Sequence, residues 1–210
     1  PHLFAYDCAK GAWELARKQA HSEAIRTLDA EVASDAAAGA TRWLSGGDDK
    51  EVHVWDEKDG SWTCAATLRH SKKVTVAVLD GSGRALIADR FGDVYRWALR
   101  EDSEAQLLLS HLAIVTAMAL TESRRFLITG DNHERIRVSC YPLAEEIYSF
   151  CLGHTGQITA LVPRGDEAVA TASADGTLRL WKMDGTPAAA LELGSSISCL
   201  GGLASGDLVV

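Results

Sequence analysis

The chain has 210 residues, a formal net charge of −8, 47% hydrophobic and 24% charged residues. That composition excludes a disordered tail, and no apolar run reaches the roughly 18 residues of a membrane-spanning helix. An acidic chain is also a poor lone binder of nucleic acid, because such binding neutralises phosphates with Lys and Arg.

At the N-terminus, Leu3-Phe4-Ala5-Tyr6-Asp7 reads as the end of a repeat unit, and residues 1–7 are assigned to a first blade. Cys8–Ser22, rich in Ala, Lys and Glu, is expected to be an insertion, either a loop or a short helix. Residues 24–68 form the next unit, which contains Ser45-Gly46-Gly47-Asp48-Asp49-Lys50-Glu51-Val52-His53-Val54-Trp55 and a soft spot at Ala36–Ala40. Residues 69–109 follow, with His70 and Asp93-Val94-Tyr95-Arg96-Trp97. Residues 110–152 carry His111 and Arg135-Ile136-Arg137-Val138-Ser139, with Ser where the other units have Trp. Residues 153–193 carry His154 and Thr171-Ala172-Ser173-Ala174-Asp175-Gly176-Thr177-Leu178-Arg179-Leu180-Trp181. Residues 194–210 begin one further unit.

The spacing defines the architecture. Trp55, Trp97, Ser139 and Trp181 recur at equal intervals along the chain. His70, His111 and His154 run in step with them, each preceding the next of these markers by a nearly constant interval. A period of roughly 40–45 residues, with a GH-like and a Trp-Asp-like dipeptide, is the signature of a WD-repeat β-propeller. The fold class is therefore all-β. Within 110–152, the apolar runs Ala113–Leu120, Arg125–Gly130, Glu134–Ser139 and Glu146–Leu152 predict four strands of a meander. The chain opens at Pro1 and stops within a strand-like Asp207–Val210, so the expectation is part of a seven-bladed ring, with about four to five blades present.

In the fullest unit, His154, Thr171, Asp175 and Trp181 are expected to form a buried hydrogen-bonded chain. An indole N–H only donates and a hydroxyl passes the bond on, so the set satisfies polar groups within a blade. A catalytic triad is the competing reading. Recurrence at blade spacing and the lack of a G-x-S-x-G elbow argue against it. The 24–68 unit keeps Ser45, Asp49 and Trp55 but shows no clear His.

No P-loop, HExxH or G-x-G-x-x-G occurs, and His133-Glu134 has no second His at metal spacing. Gly81-Ser82-Gly83 reads as a hairpin turn. No catalytic, cofactor-binding or metal-binding residue is expected. The five cysteines (Cys8, Cys64, Cys140, Cys151, Cys199) are odd in number and lack a CxxC pair, which points to small buried hydrophobes in an intracellular protein.

Three blocks are more specific than the repeat. They are Ala88-Asp89-Arg90-Phe91-Gly92-Asp93-Val94-Tyr95, Arg125 through Ser139, and Ser149-Phe150-Cys151-Leu152-Gly153-His154-Thr155. Their order, spacing and Ser139 resemble the WD-repeat, non-catalytic subunit of eukaryotic tRNA (guanine-N7-)-methyltransferase. The resemblance covers roughly residues 87–183.

It implies an accessory role. A separate catalytic subunit would hold S-adenosylmethionine and tRNA, and this chain would bind and stabilise it in the nucleus, with no cofactor of its own. Partner contacts are expected at two turns, Asp89–Gly92 and Asp131–Arg135, lying on one face. The contact residues would be Arg90, Asp131, Asn132, Glu134 and Arg135, with Arg137 beside them. The Arg common in that family at the Asn132 position is missing here. The alternative is a generic WD-repeat scaffold, such as a ubiquitin-ligase substrate adaptor. Such scaffolds keep a full set of Trp-Asp dipeptides, and the Ser139 unit lacks one.

Overall fold

The structure is a computed structural model that describes residues 2–7, 12–17, 19–32, 41–100, 102–202 and 208–210. Every regular element among them is a strand. Apolar alternation makes the strands, and turns rich in Gly, Asp and Ser separate them. The chain divides into two compact units, Pro1–Arg90 with Tyr95–Gln106, and Phe91–Val94 with Leu107–Val210.

The chain begins with β1 (Leu3–Asp7) paired antiparallel to β2 (Ala12–Arg17), Tyr6 opposite Trp13. A strand therefore occupies part of the segment expected to be a loop or short helix. Trp13-Glu14-Leu15 alternates with a period of two, and pairing gives the β1 backbone its partners. Residues 8–11 and 18, and the soft spot Ala36–Ala40, lie outside the described residues.

Four antiparallel meanders follow, each with its strands in chain order. The first is β3 (Ile25–Val32), β4 (Thr41–Gly47), β5 (Glu51–Lys58) and β6 (Ser61–Arg69). The second is β7 (Val74–Leu79), β8 (Arg84–Asp89), β9 (Asp93–Ala98) and β10 (Gln106–Ser110). The third is β11 (Val115–Leu120), β12 (Phe126–Asp131), β13 (Ile136–Cys140) and β14 (Ile147–Cys151). The fourth is β15 (Ile158–Arg164), β16 (Ala168–Ser173), β17 (Thr177–Lys182) and β18 (Pro187–Glu192). A short pair, β19 (Gly201–Gly202) and β20 (Leu208–Val209), comes last. Four-stranded meanders repeating in this way are WD-repeat propeller blades.

The core lies between blades. In the first unit, Leu44, Val52 and Leu68 of β3–β6 pack on Val74, Leu79, Ile87 and Trp97. In the second, Phe126, Ile128, Ile136 and Val138 pack on Ile158, Val169 and Trp181. A blade alone leaves both faces of its sheet apolar, so stacking on a neighbour is what buries them.

Hydrogen bonds stitch the inner strands as well. The Thr27 hydroxyl donates to Ala77 O at 3.1 Å and accepts from Ala77 N at 3.0 Å. The Asp29 carboxylate accepts from Leu79 N at 2.7 Å. In the second unit, the Thr116 hydroxyl donates to Ile158 O. These side chains replace the backbone ladder that two separate sheets cannot form.

Candidate functional site

The polar chain in β15–β18 has a direction. Trp181 Nε1–H donates to Thr171 Oγ1 at 2.9 Å, and Thr171 Oγ1 meets His154 Nε2 at 2.8 Å. His154 Nδ1 lies 2.9 Å from Asp175 Oδ2, which also accepts from Thr155 N at 2.9 Å. Burial opposes charge on Asp175, but the N–H groups of Thr155 and Thr177, the Thr177 hydroxyl and His154 outweigh it and hold the carboxyl below its usual range. The Thr171 hydroxyl is fully buried and already committed, so it has no route to a substrate.

The β3–β6 blade builds the same chain with a residue the sequence reading missed. His21 Nδ1 sits 2.9 Å from Asp49 Oδ2, His21 Nε2 sits 2.8 Å from Ser45 Oγ, and Trp55 Nε1–H donates to Ser45 Oγ at 2.9 Å. The stretch from His21 to Trp55 is longer than those from His70 to Trp97 and from His154 to Trp181. The extra residues fall between Ile25 and Ser45, the stretch that contains the soft spot.

The other two blades carry partial versions. His70 Nε2 lies 3.1 Å from Asp89 Oδ2, but Ile87 stands at the hydroxyl position, so Trp97 Nε1–H turns to Ser103 O at 2.8 Å. In β11–β14, His111 Nε2 meets Thr129 Oγ1 at 2.7 Å and Nδ1 meets Asp131 Oδ2 at 3.3 Å. Arg137 turns toward Ser139, the position that carries the indole in the other blades. Its Nε donates to Ser139 Oγ at 2.8 Å and its Nη2 to Ala144 O at 2.8 Å. The expectation that Arg137 is a surface contact is thus corrected, because the side chain is buried and held by the blade's own acceptors.

The turn after β12 separates framework from surface. Asp131 is fully buried and accepts from His133 N at 2.9 Å and Arg135 N at 3.0 Å. Asn132 is clamped to the preceding turn, its Oδ1 accepting from Ile114 N at 3.0 Å and its N–H donating to Ile114 O at 2.9 Å. Asp131 and Asn132 therefore shape the turn. The contact role expected of Asp131 is corrected, since its carboxylate faces inward. Glu134 and Arg135 are exposed. Arg90 is exposed in the first unit, where its N–H donates to Lys73 O at 3.0 Å. Gly92 has φ +89°, and a Cβ there would lie 2.3 Å from Ala113 O, so only glycine lets the turn after β8 press on 111–113.

Among the described residues, no group of three or more His, Cys, Asp and Glu is placed to hold a metal ion. Cys151 is buried, and burial pushes its thiol up to about 12. Cys64 and Cys199 are exposed, which corrects the expectation of buried cysteines, and Cys8 lies outside the described residues.

Burial pushes the His111 and His154 imidazoles down from their usual value, against the pull of Asp131 and Asp175. A lowered folded value means the neutral form is favoured on folding. That stability is complete above the ordinary imidazole value and is lost as pH falls through the lowered ones. The unfolding free energy is expected to be flat from about pH 7 to 8 and to fall below about pH 6.5, by about 1.4 kcal/mol per pH unit for each proton taken up on unfolding, and the thermal midpoint follows it. A midpoint unchanged between about pH 7 and 5 contradicts this.

A family profile described as the tRNA methyltransferase TRM82 WD40 domain matches residues 100–192. The mouse tRNA (guanine-N(7)-)-methyltransferase non-catalytic subunit WDR4 is 33% identical over 192 residues, covering 86% of this chain and 45% of that protein. The human protein of the same name is 31% identical over 190 residues, covering 86% of this chain and 44% of that protein. The Drosophila pseudoobscura non-catalytic subunit wuho is 39% identical over 103 residues, covering 49% of this chain and 26% of that protein. The chain spans less than half the length of these curated relatives.

Proposed function

We propose that this chain, which belongs to the WD-repeat family of non-catalytic tRNA (guanine-N7-)-methyltransferase subunits, binds the catalytic subunit of that enzyme, stabilises it and supports N7-methylguanosine formation in tRNA. The observation that carries the reading is the 33% identity to a non-catalytic subunit across 86% of this chain. The polar residues agree with it. The hydroxyls of Ser45, Thr129 and Thr171, which meet His21, His111 and His154, are fully buried inside their blades.

The catalytic subunit holds the methyl donor and most of the tRNA, and the complex works in the nucleus. Arg90, Glu134 and Arg135 supply charged contacts to it, and Asp131 and Asn132 hold the turn that presents the last two. Exposed ion pairs are worth little, but a pair desolvated at an interface is costly to break. Co-expression with the catalytic subunit and size-exclusion chromatography tests the reading. A stoichiometric complex is expected, and separate elution of the two chains overturns it.

A further inference from the structure

Four turns at one end of the second unit share a continuous surface. His111 N donates to Gly92 O at 2.8 Å, which joins the turn after β8 to the turn before β11. The Asn132–Ile114 pair, at 2.9 and 3.0 Å, joins that turn to the one after β12. The turn after β12 and the segment 152–156 then line one polar cavity.

Three large apolar side chains stand out of this surface, Phe91 at 59% exposure, Leu112 at 93% and Leu152 at 64%. Their neighbours Ala113 and Val115 are buried, so the turn itself aims Leu112 outward. Folding gives no reason for this, because a buried leucine gains about 1.5–3 kcal/mol that an exposed one forgoes. Beside them, Glu134 and Arg135 are exposed and form no ion pair among the described residues.

We propose that Phe91, Leu112 and Leu152 are the apolar anchors with which this chain docks the methyltransferase catalytic subunit. The inference rests on the function proposed above and identifies its contact surface. Apolar anchors inside a polar rim are the anatomy of a protein interface, and a few such anchors carry most of the affinity. The occupant has an apolar patch flanked by a cation that meets Glu134 and a carboxylate that meets Arg135. RNA does not match this surface, where the Glu134 carboxylate stands beside Arg135 on a chain of net charge −8. The surface also includes the Asp131–Arg135 turn, so anchors and charges act as one contact.

The test compares affinity for the purified catalytic subunit among the wild-type protein, Leu112→Ser/Leu152→Ser, and the control Leu143→Ser, whose side chain is 60% exposed on the β13–β14 connection. The double variant is expected to bind roughly a hundredfold more weakly and the control to bind like wild type. If the double variant loses its native circular-dichroism spectrum, Leu112→Ser alone is read, with about a tenfold loss expected. A double variant (or, in that case, Leu112→Ser) that binds like wild type, or a control that weakens binding equally, overturns the inference and leaves the proposed function standing. A wild-type protein that does not bind at all overturns both.

Discussion

Trp181→Ala lowers the stability of the second unit by about 3–5 kcal/mol. The indole is 2% exposed and packs in the core between β11–β14 and β15–β18, beside Phe126, Ile158 and Val169. Truncation removes its transfer free energy and leaves a cavity between two sheets, each held by its own ladder, so the gap cannot close freely. It also takes the N–H donor away from Thr171 Oγ1, at 2.9 Å. Trp181→Phe separates the two effects. It refills much of the volume without the donor, and the expected loss is about 1–3 kcal/mol. Denaturant unfolding checks both variants, with hydrogen exchange over residues 158–192 as the local readout. A loss under about 1 kcal/mol for the alanine variant contradicts the packing argument.

Asp131→Ala costs about 2–4 kcal/mol and, if the proposed function holds, weakens binding of the catalytic subunit as well. The carboxylate is fully buried and takes hydrogen bonds from His133 N and Arg135 N, at 2.9 and 3.0 Å, besides the His111 imidazole at 3.3 Å. Alanine takes the acceptor away from these part-buried groups, and a donor that loses its acceptor bears part of its desolvation cost. The turn then no longer fixes Glu134 and Arg135, so affinity falls although neither residue has changed. Asp131→Asn keeps an acceptor for the turn amides, and intermediate losses are expected. Unfolding midpoints and binding affinity, measured on the same preparations, check the coupling. Full stability with full affinity contradicts it.

Much of the fold could be read from the sequence because each blade makes the same demand at the same place. Trp55, Trp97 and Trp181 close equivalent inter-sheet spaces, so their positions fall on one even period, with Ser139 at the remaining step. What escaped reading has physical reasons. His21 sits at the usual geometric position, but the longer stretch between Ile25 and Ser45 moves it off the sequence period. Arg137 looks like surface charge. It turns inward onto the Ser139 hydroxyl and the Ala144 carbonyl, partners that only the packed blade brings together.

The outward turn of Leu112 was likewise hidden. It lies just before the apolar run of β11, and nothing local distinguishes a leucine ending a turn from one starting a strand. Asp131 misled in the other direction, since a turn carboxylate is mostly exposed until backbone amides converge on it. The outer layer of the candidate site depends on exposure, which the alternation of residue types does not specify.

In the proposed function this chain makes its partner a better enzyme without catalysing anything itself. The direct measurement is N7-methylguanosine formation in tRNA by the catalytic subunit alone, by this chain alone, and by the two together. The account predicts no product from this chain alone and more product from the pair than from the catalytic subunit by itself. Equal product with and without this chain, or methylation by this chain on its own, contradicts it.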